Sequence, residues 1–139
     1  MKGALAITLI LVSIMVSNMV NGGKNTMNNS AGNQQEYVFQ FDDLEKQRDD
    51  SGRSYLQFLD VDSMHCGIYH LKAGEKDPQQ PHDDDEVYYV QSGKAKFTYG
   101  DQSSDVGPGS VLFVPAKMEH RFHDIEEDIT LLVFFARSR

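Results

Sequence analysis

The stretch "PQQPHDDDEVYYVQSG", residues 78 to 93, sets His82 four residues ahead of Glu86, with Asp83, Asp84 and Asp85 between them. A second stretch, "VPAKMEHRFHD", carries His120 and His123. Imidazole nitrogens and carboxylate oxygens are donors for divalent transition metals. Two histidines and one carboxylate make a set with open positions, typical of non-haem Fe(II) and compatible with Mn, Ni, Co, Cu or Zn. An ion held this way keeps residual positive charge and can hold an anionic oxygen. The three aspartates read as a solvated rim whose negative field favours cation entry.

Bringing these donors together requires strands. Side chains two or four apart in an extended chain share a face, so Gln80, His82 and Glu86 point one way, with Tyr88 and Val90 further along. Pro81 removes a ladder donor and disturbs that alternation locally. His120 and His123 are three apart and face opposite sides of a strand. Phe122 shares parity with His120, which marks His120 as the inward histidine. Tyr88 and Phe122 follow the ligand face and are the candidate pocket residues. Phe97, Phe113 and Phe134 read as core, and His65, His70 and His123 as surface or supporting residues.

The elements that supply those strands are short apolar runs separated by Gly, Pro, Asp and Ser, without sustained helical periodicity. Residues 37–41, 54–61, 66–73, 86–92, 95–100, 110–116, 119–124 and 129–136 read as strands, rich in the β-branched and aromatic residues that suit a pleated surface. Residues 42–50, "DDLEKQRDD", read as one helical turn or a loop. Gly93 in "QSGK" suits a tight hairpin, and "DVGPGS" offers Gly107, Pro108 and Gly109 for a sharp reversal. Eight strands with such turns predict an all-β double-sheet jelly roll, a small barrel of the kind that holds one ligand or metal inside.

Both metal-candidate stretches then resemble the two motifs of the cupin superfamily, of the single-domain type 2 kind. The first motif, G-x5-H-x-H-x3-E-x6-G, is met by Gly74, Gln80, His82, Glu86 and Gly93, and the second, G-x5-P-x-G-x2-H-x3-N, by Gly109, Pro115, Lys117, His120 and Asp124. Every spacing is kept. Gln80 stands where the family has its first histidine ligand, so the resemblance implies a metal set of His82, Glu86 and His120 with an amide oxygen from Gln80, Gln79 being the alternative donor. Lys117 replaces a turn glycine and Asp124 an asparagine, both outside the ligand set. The resemblance also implies a double-stranded β-helix barrel, a homodimer, and one divalent transition metal, with Fe weakly favoured. In an oxygenase of this family Glu86 would leave the metal and act as base while Gln80 orients substrate or water.

The function so implied is a metal-binding cupin domain that holds a small molecule, as a mononuclear metal dioxygenase or a related isomerase or lyase. The alternative is an exported, non-catalytic module for a metal or a small sugar-like ligand. Composition excludes other classes. Among 139 residues, 13 Lys and Arg stand against 21 Asp and Glu, a net charge of -8, which repels nucleic-acid phosphate. Cys66 is the sole cysteine, so no intramolecular disulfide forms, and in a strand-like run it reads as a small buried hydrophobe. Lys2 followed by an apolar run from Gly3 to Val20 predicts a signal peptide over residues 1–22 and export to a periplasmic or secreted location. A membrane anchor through residues 3–20 is the alternative. Residues 23–35, "GKNTMNNSAGNQQ", read as a flexible linker with little to bury, and residues 36–139 as the cupin domain.

Overall fold

A computed structural model describes residues 37–137. The chain divides into two units, Met1–Gln35 and Glu36–Arg139, and the expected leader or anchor (1–22) and linker (23–35) lie outside the described residues. Among the described residues, no helix is long and apolar enough to cross a membrane.

The first element corrects the sequence reading. Residues 37–40 are not a strand, and Phe41–Ser51 form an eleven-residue helix, α1. Asp42 and Asp43 in its first turn and Arg48 in its last complement the helix dipole. Leu44 and Arg48, one turn apart, are its buried residues. Gly52 ends it in the left-handed region at φ 68°, donating its N–H to the Asp49 carbonyl at 3.0 Å. Tyr37 and Val38 are exposed, so the alternation in "YVFQF" has no sheet to bury against.

Six strands follow: β1 (Tyr55–Val61), β2 (Met64–Leu71), β3 (Asp85–Tyr99), β4 (Gln102–Val106), β5 (Val111–Val114) and β6 (His120–Ala136). They pair antiparallel in the order β1-β2-β6-β3-β4, with β5 also on β3. The all-β jelly roll is therefore built from fewer and longer strands than the eight expected. Expected strands 86–92 and 95–100 are one, β3, and 119–124 and 129–136 are one, β6. These two pair from Asp85↔Ala136 to Tyr99↔His120, with register shifts between Val90 and Lys96. Such bulges bend and twist long strands.

Gly93 lies inside this bend and is not a hairpin turn. Its φ is 87°, it is buried, and a Cβ there would run into the backbone of Asp128 and Ile129. The residue is a glycine because β6 approaches too closely for any side chain. The actual hairpin lies seven residues further along: Gly100 and Asp101 connect β3 to β4, with Tyr99 paired to Gln102. Strand β4 escaped the sequence reading because four of its five residues are exposed and polar.

The core gathers Tyr88, Val90 and Phe97 from β3, Phe122, Ile129, Leu131 and Val133 from β6, and Tyr69 and Leu71 from β2. Phe122 packs at 5.3 Å from Tyr88 and 4.7 Å from Phe97, ring centre to ring centre. Cys66 is buried and free.

Candidate metal centre

Glu86 is the second residue of β3 and His120 the first of β6, so paired strands fix both. Phe122 is buried beside His120, and His123 on the opposite face bonds the Thr98 hydroxyl at 2.9 Å. His82 is not on a strand: it lies in the irregular segment between β2 and β3, and its approach to Glu86 comes from how that segment is tied down rather than from strand alternation.

Two ties do this. Asp77, buried between β2 and β6, accepts the Tyr69 hydroxyl at 2.8 Å and the Gln79 amide at 3.1 Å on one oxygen. On the other it accepts the Gln79 side-chain amide and the Phe122 main-chain N–H, both at 2.8 Å. The second tie is Lys117 N–H, which donates to the His82 carbonyl at 2.7 Å.

The donors converge on one carboxylate oxygen. His82 Nε2 lies 2.9 Å and His120 Nε2 3.2 Å from Glu86 Oε2, and one donor atom from each of the three lies within 4.8 Å of the others. The protons can be assigned. His82 Nδ1 is 2.8 Å from the Asp84 carbonyl, and His120 Nδ1 is 2.8 Å from the Met118 carbonyl. A carbonyl only accepts, so both Nδ1 atoms carry hydrogen, and each ring in its neutral form aims an Nε2 lone pair at Glu86. This is the outer support that metal-ligating histidines use. Three acceptors facing one another require a cation or protons between them. Burial alone would push the His120 imidazole down, but the bonds to Glu86 and the Met118 carbonyl, with the Glu86 and Asp77 charges, raise it above its ordinary value.

The other carboxylate oxygen, Glu86 Oε1, is buried without a hydrogen-bond partner. Glu86 borders a cavity of about 310 Å³ walled largely by Tyr55, Tyr69, Tyr88, Val133 and Phe135. The Tyr88 hydroxyl donates to Gln79 Oε1 and sits 3.3 Å from His120 Nε2. Burial first, and the Glu86 carboxylate next, hold that phenol protonated well above its ordinary range. A divalent cation fits this donor set: two oriented imidazoles, one carboxylate, and a buried oxygen that the protein leaves unpaired.

Gln80 is placed differently from the expectation. It is exposed, and its amide nitrogen donates to the main-chain oxygen of Gln79 at 2.9 Å. The amide joined to the centre is that of Gln79, the alternative donor, because Asp77 and Tyr88 grip it from both ends. Phe122 packs behind Tyr88 in the core and does not wall the cavity, whereas Tyr88 does. Asp83 and Asp85 are exposed, and Asp84 reaches His65 with its carboxylate at 3.5 Å. Tyr55, Tyr69, Asp77 and Phe135 were not singled out in the sequence, where an isolated tyrosine or aspartate carries no spacing signal. His65, expected at the surface or in support, borders the cavity and stacks on Phe135 at 4.3 Å.

A family model described as the cupin domain matches residues 67–135. An uncharacterized protein of Streptomyces coelicolor is 47% identical over 99 residues, which span 71% of this chain and 94% of the relative. Among solved structures, the DMSP lyase DddQ of Ruegeria pomeroyi aligns with a TM-score of 0.55 at 21% identity over 64% of this chain and 50% of the lyase. A cupin superfamily protein of Desulfitobacterium hafniense aligns with a TM-score of 0.55 at 23% identity, over 60% of this chain and 76% of that protein. A putative mannose-6-phosphate isomerase of Ralstonia eutropha gives 0.54 at 21% identity, over 60% and 83%. This chain spans half the length of the lyase, and identities at this level carry the fold alone.

Proposed function

We propose that this chain, which belongs to the cupin family, holds one divalent transition metal on His82, Glu86 and His120 and binds a small molecule in the adjoining cavity. The observation that carries the reading is the pair of Nε2 atoms aimed at a single oxygen of Glu86, with both Nδ1 atoms bonded to main-chain carbonyls. The metal, when bound, supplies Lewis acidity for an anionic oxygen of the ligand.

The remaining chemistry belongs to the side chains. Glu86 Oε1, buried and unpaired, is the atom that can take a proton from a bound hydroxyl or an acidic carbon, the role of a general base. Tyr88 keeps its proton and, held by Gln79, maintains a fixed dipole beside His120. The aromatic walls lower the polarity around Glu86, which strengthens the electrostatics there. Gln80, outside this network, serves the rim of the segment rather than the reacting atoms.

The reaction class that fits is proton abstraction from an enol, phenol or activated carbon, as in a mononuclear metal dioxygenase, lyase or isomerase, with Fe the favoured metal. Oxygen uptake by the iron-loaded protein with a panel of diketones, flavonols and catechols tests it, and Glu86→Gln is the control. A ligand-induced, metal-dependent thermal shift without turnover would instead identify a binding module. The reading includes export, supported by the apolar run of residues 3–20, and a homodimer, supported by Tyr89, Val111 and Phe113, which lie exposed on the neighbouring strands β3 and β5.

A further inference from the structure

A second cavity, of about 520 Å³, is bordered by the last turn of α1 and the segment after it, and by the end of β2 and the segment after that. None of the metal candidates borders it. Its lining gathers three cations, Arg48, Arg53 and Lys72. Like charges repel, and the chain as a whole carries a net charge of -8, so a cavity with this lining calls for a reason. The cavity beside Glu86 has no lysine or arginine in its wall.

Arg48 is the fixed member. It is buried, and a buried guanidinium is costly unless its donors are used. Its Nη2 donates to Asp49 at 2.6 Å, and its Nε is enclosed without a partner. Nη1 makes no bond among the described residues and is not enclosed, so it is the donor left for a ligand. The Arg48 charge reaches His70, which also borders the cavity: burial first, and Arg48 next, hold that imidazole below its ordinary value, while Asp128, Asp49 and Glu45 pull it up. Arg53 and Lys72 are exposed, and neither is ion-paired among the described residues. The acids in the lining are engaged, Asp49 with Arg48 and Glu75 with the main-chain N–H of Lys72 at 2.8 Å. The amides of Gly52, Ala73 and Gly74 are committed to Asp49, Asp128 and Ile125, so side chains carry the recognition.

We infer that this cavity is an anion site in which Arg48, Arg53 and Lys72 hold the phosphate group of a small molecule. Two guanidiniums and an ammonium match a multivalent oxyanion, because the guanidinium is a fork of donors and the ammonium a compact charge. A lone carboxylate brings one charge to three cations. The volume of about 520 Å³ exceeds what a phosphate group fills, so the ligand extends beyond it. The site uses none of the metal candidates and stands apart from the metal reading.

Inorganic phosphate and acetate, titrated into the full chain at low ionic strength matched with sodium chloride and followed by NMR, test it. Phosphate should bind saturably, about tenfold or more tightly than acetate, and should weaken as salt rises. Arg53→Gln and Lys72→Gln, both at exposed positions, should each weaken phosphate about tenfold. The His70 imidazole resonance, identified by its loss in His70→Gln, gives a local readout: phosphate held beside it should shift its titration to higher pH. Absence of saturable phosphate binding, acetate binding as tightly as phosphate, wild-type affinity in both variants, or a His70 titration that phosphate leaves unmoved overturns the inference. Metal content measured on the same proteins separates this failure from failure of the metal reading, because neither variant touches a metal candidate.

Discussion

The main-chain amide of Lys117 donates to the main-chain carbonyl of His82 at 2.7 Å. The turn that precedes His120 therefore holds the segment that presents His82, and the two candidate imidazoles are positioned as one unit. Lys117 does this at φ 67°, in the left-handed region where a Cβ is strained and where the family motif has glycine.

Lys117→Gly should therefore stabilise the protein, by roughly 0.5–1 kcal/mol once the extra freedom of glycine in the unfolded chain is counted. The ion pair given up, Lys117 to Asp83 at 3.9 Å with both groups exposed, contributes little. Urea denaturation of the two proteins measures the difference, and a loss of stability would refute the strain argument.

Asp77→Ala should do the reverse. It removes the acceptor of four hydrogen bonds and leaves the Tyr69 hydroxyl and the Phe122 amide buried without partners. A cost on the order of 3 kcal/mol is expected by denaturation. Metal affinity should fall about tenfold or more, since the segment carrying His82 is no longer fastened to β2 and β6. Unchanged affinity would mean that the Lys117 tie suffices alone.

Alkaline titration should reveal Tyr55. Its phenol is pushed up to about 12 from an ordinary 10.0, by burial first and the Glu86 charge second. The folded state then holds a proton that the unfolded state releases. The stability it contributes is complete below pH 10 and lost as pH rises from 10 to 12. Ultraviolet phenolate absorbance, compared between wild type and Tyr55→Phe, should lose a component near pH 12 and none near pH 10. Loss of a component near 10 would place that hydroxyl in water.

Phe113→Lys should convert the expected dimer to a monomer in sedimentation equilibrium. Phe113 is 60% exposed and Val111 69% exposed on β5, with Tyr89 paired to Val111, an apolar strip that a charge would disrupt. A wild-type chain already monomeric would remove the strip from any role in assembly.

Much of the site was legible because its residues are of types that stand out. His82, Glu86 and His120 are rare enough, and regularly enough spaced in the two motifs, to be picked out together. Their geometry was legible only in part. Strand parity describes Glu86, His120 and Phe122 correctly, but His82 reaches the cluster from an irregular segment, and Gln80, drawn inward by parity, turns outward once that segment leaves the strand. The supports were not legible at all: Asp77 acts through a bond to the main chain of Phe122, far away in sequence, that no local spacing encodes. In the fold, Gly93 signals a turn in sequence, yet its small size serves a close strand approach. The aspartates after Phe41, weak evidence by themselves, start a helix once Leu44 and Arg48 find β1 and β2 to pack on.

Metal content tests the central claim most directly. The full chain, purified without chelator or incubated with Fe(II), Mn, Ni, Co or Zn and then freed of excess, is analysed by elemental mass spectrometry beside His82→Ala and His120→Ala. The account predicts close to one equivalent of metal per chain in the wild type and little in either variant, with the far-ultraviolet β signature kept in all three. A folded wild-type protein that refuses every one of these ions, or variants that load as fully as the wild type, would contradict it.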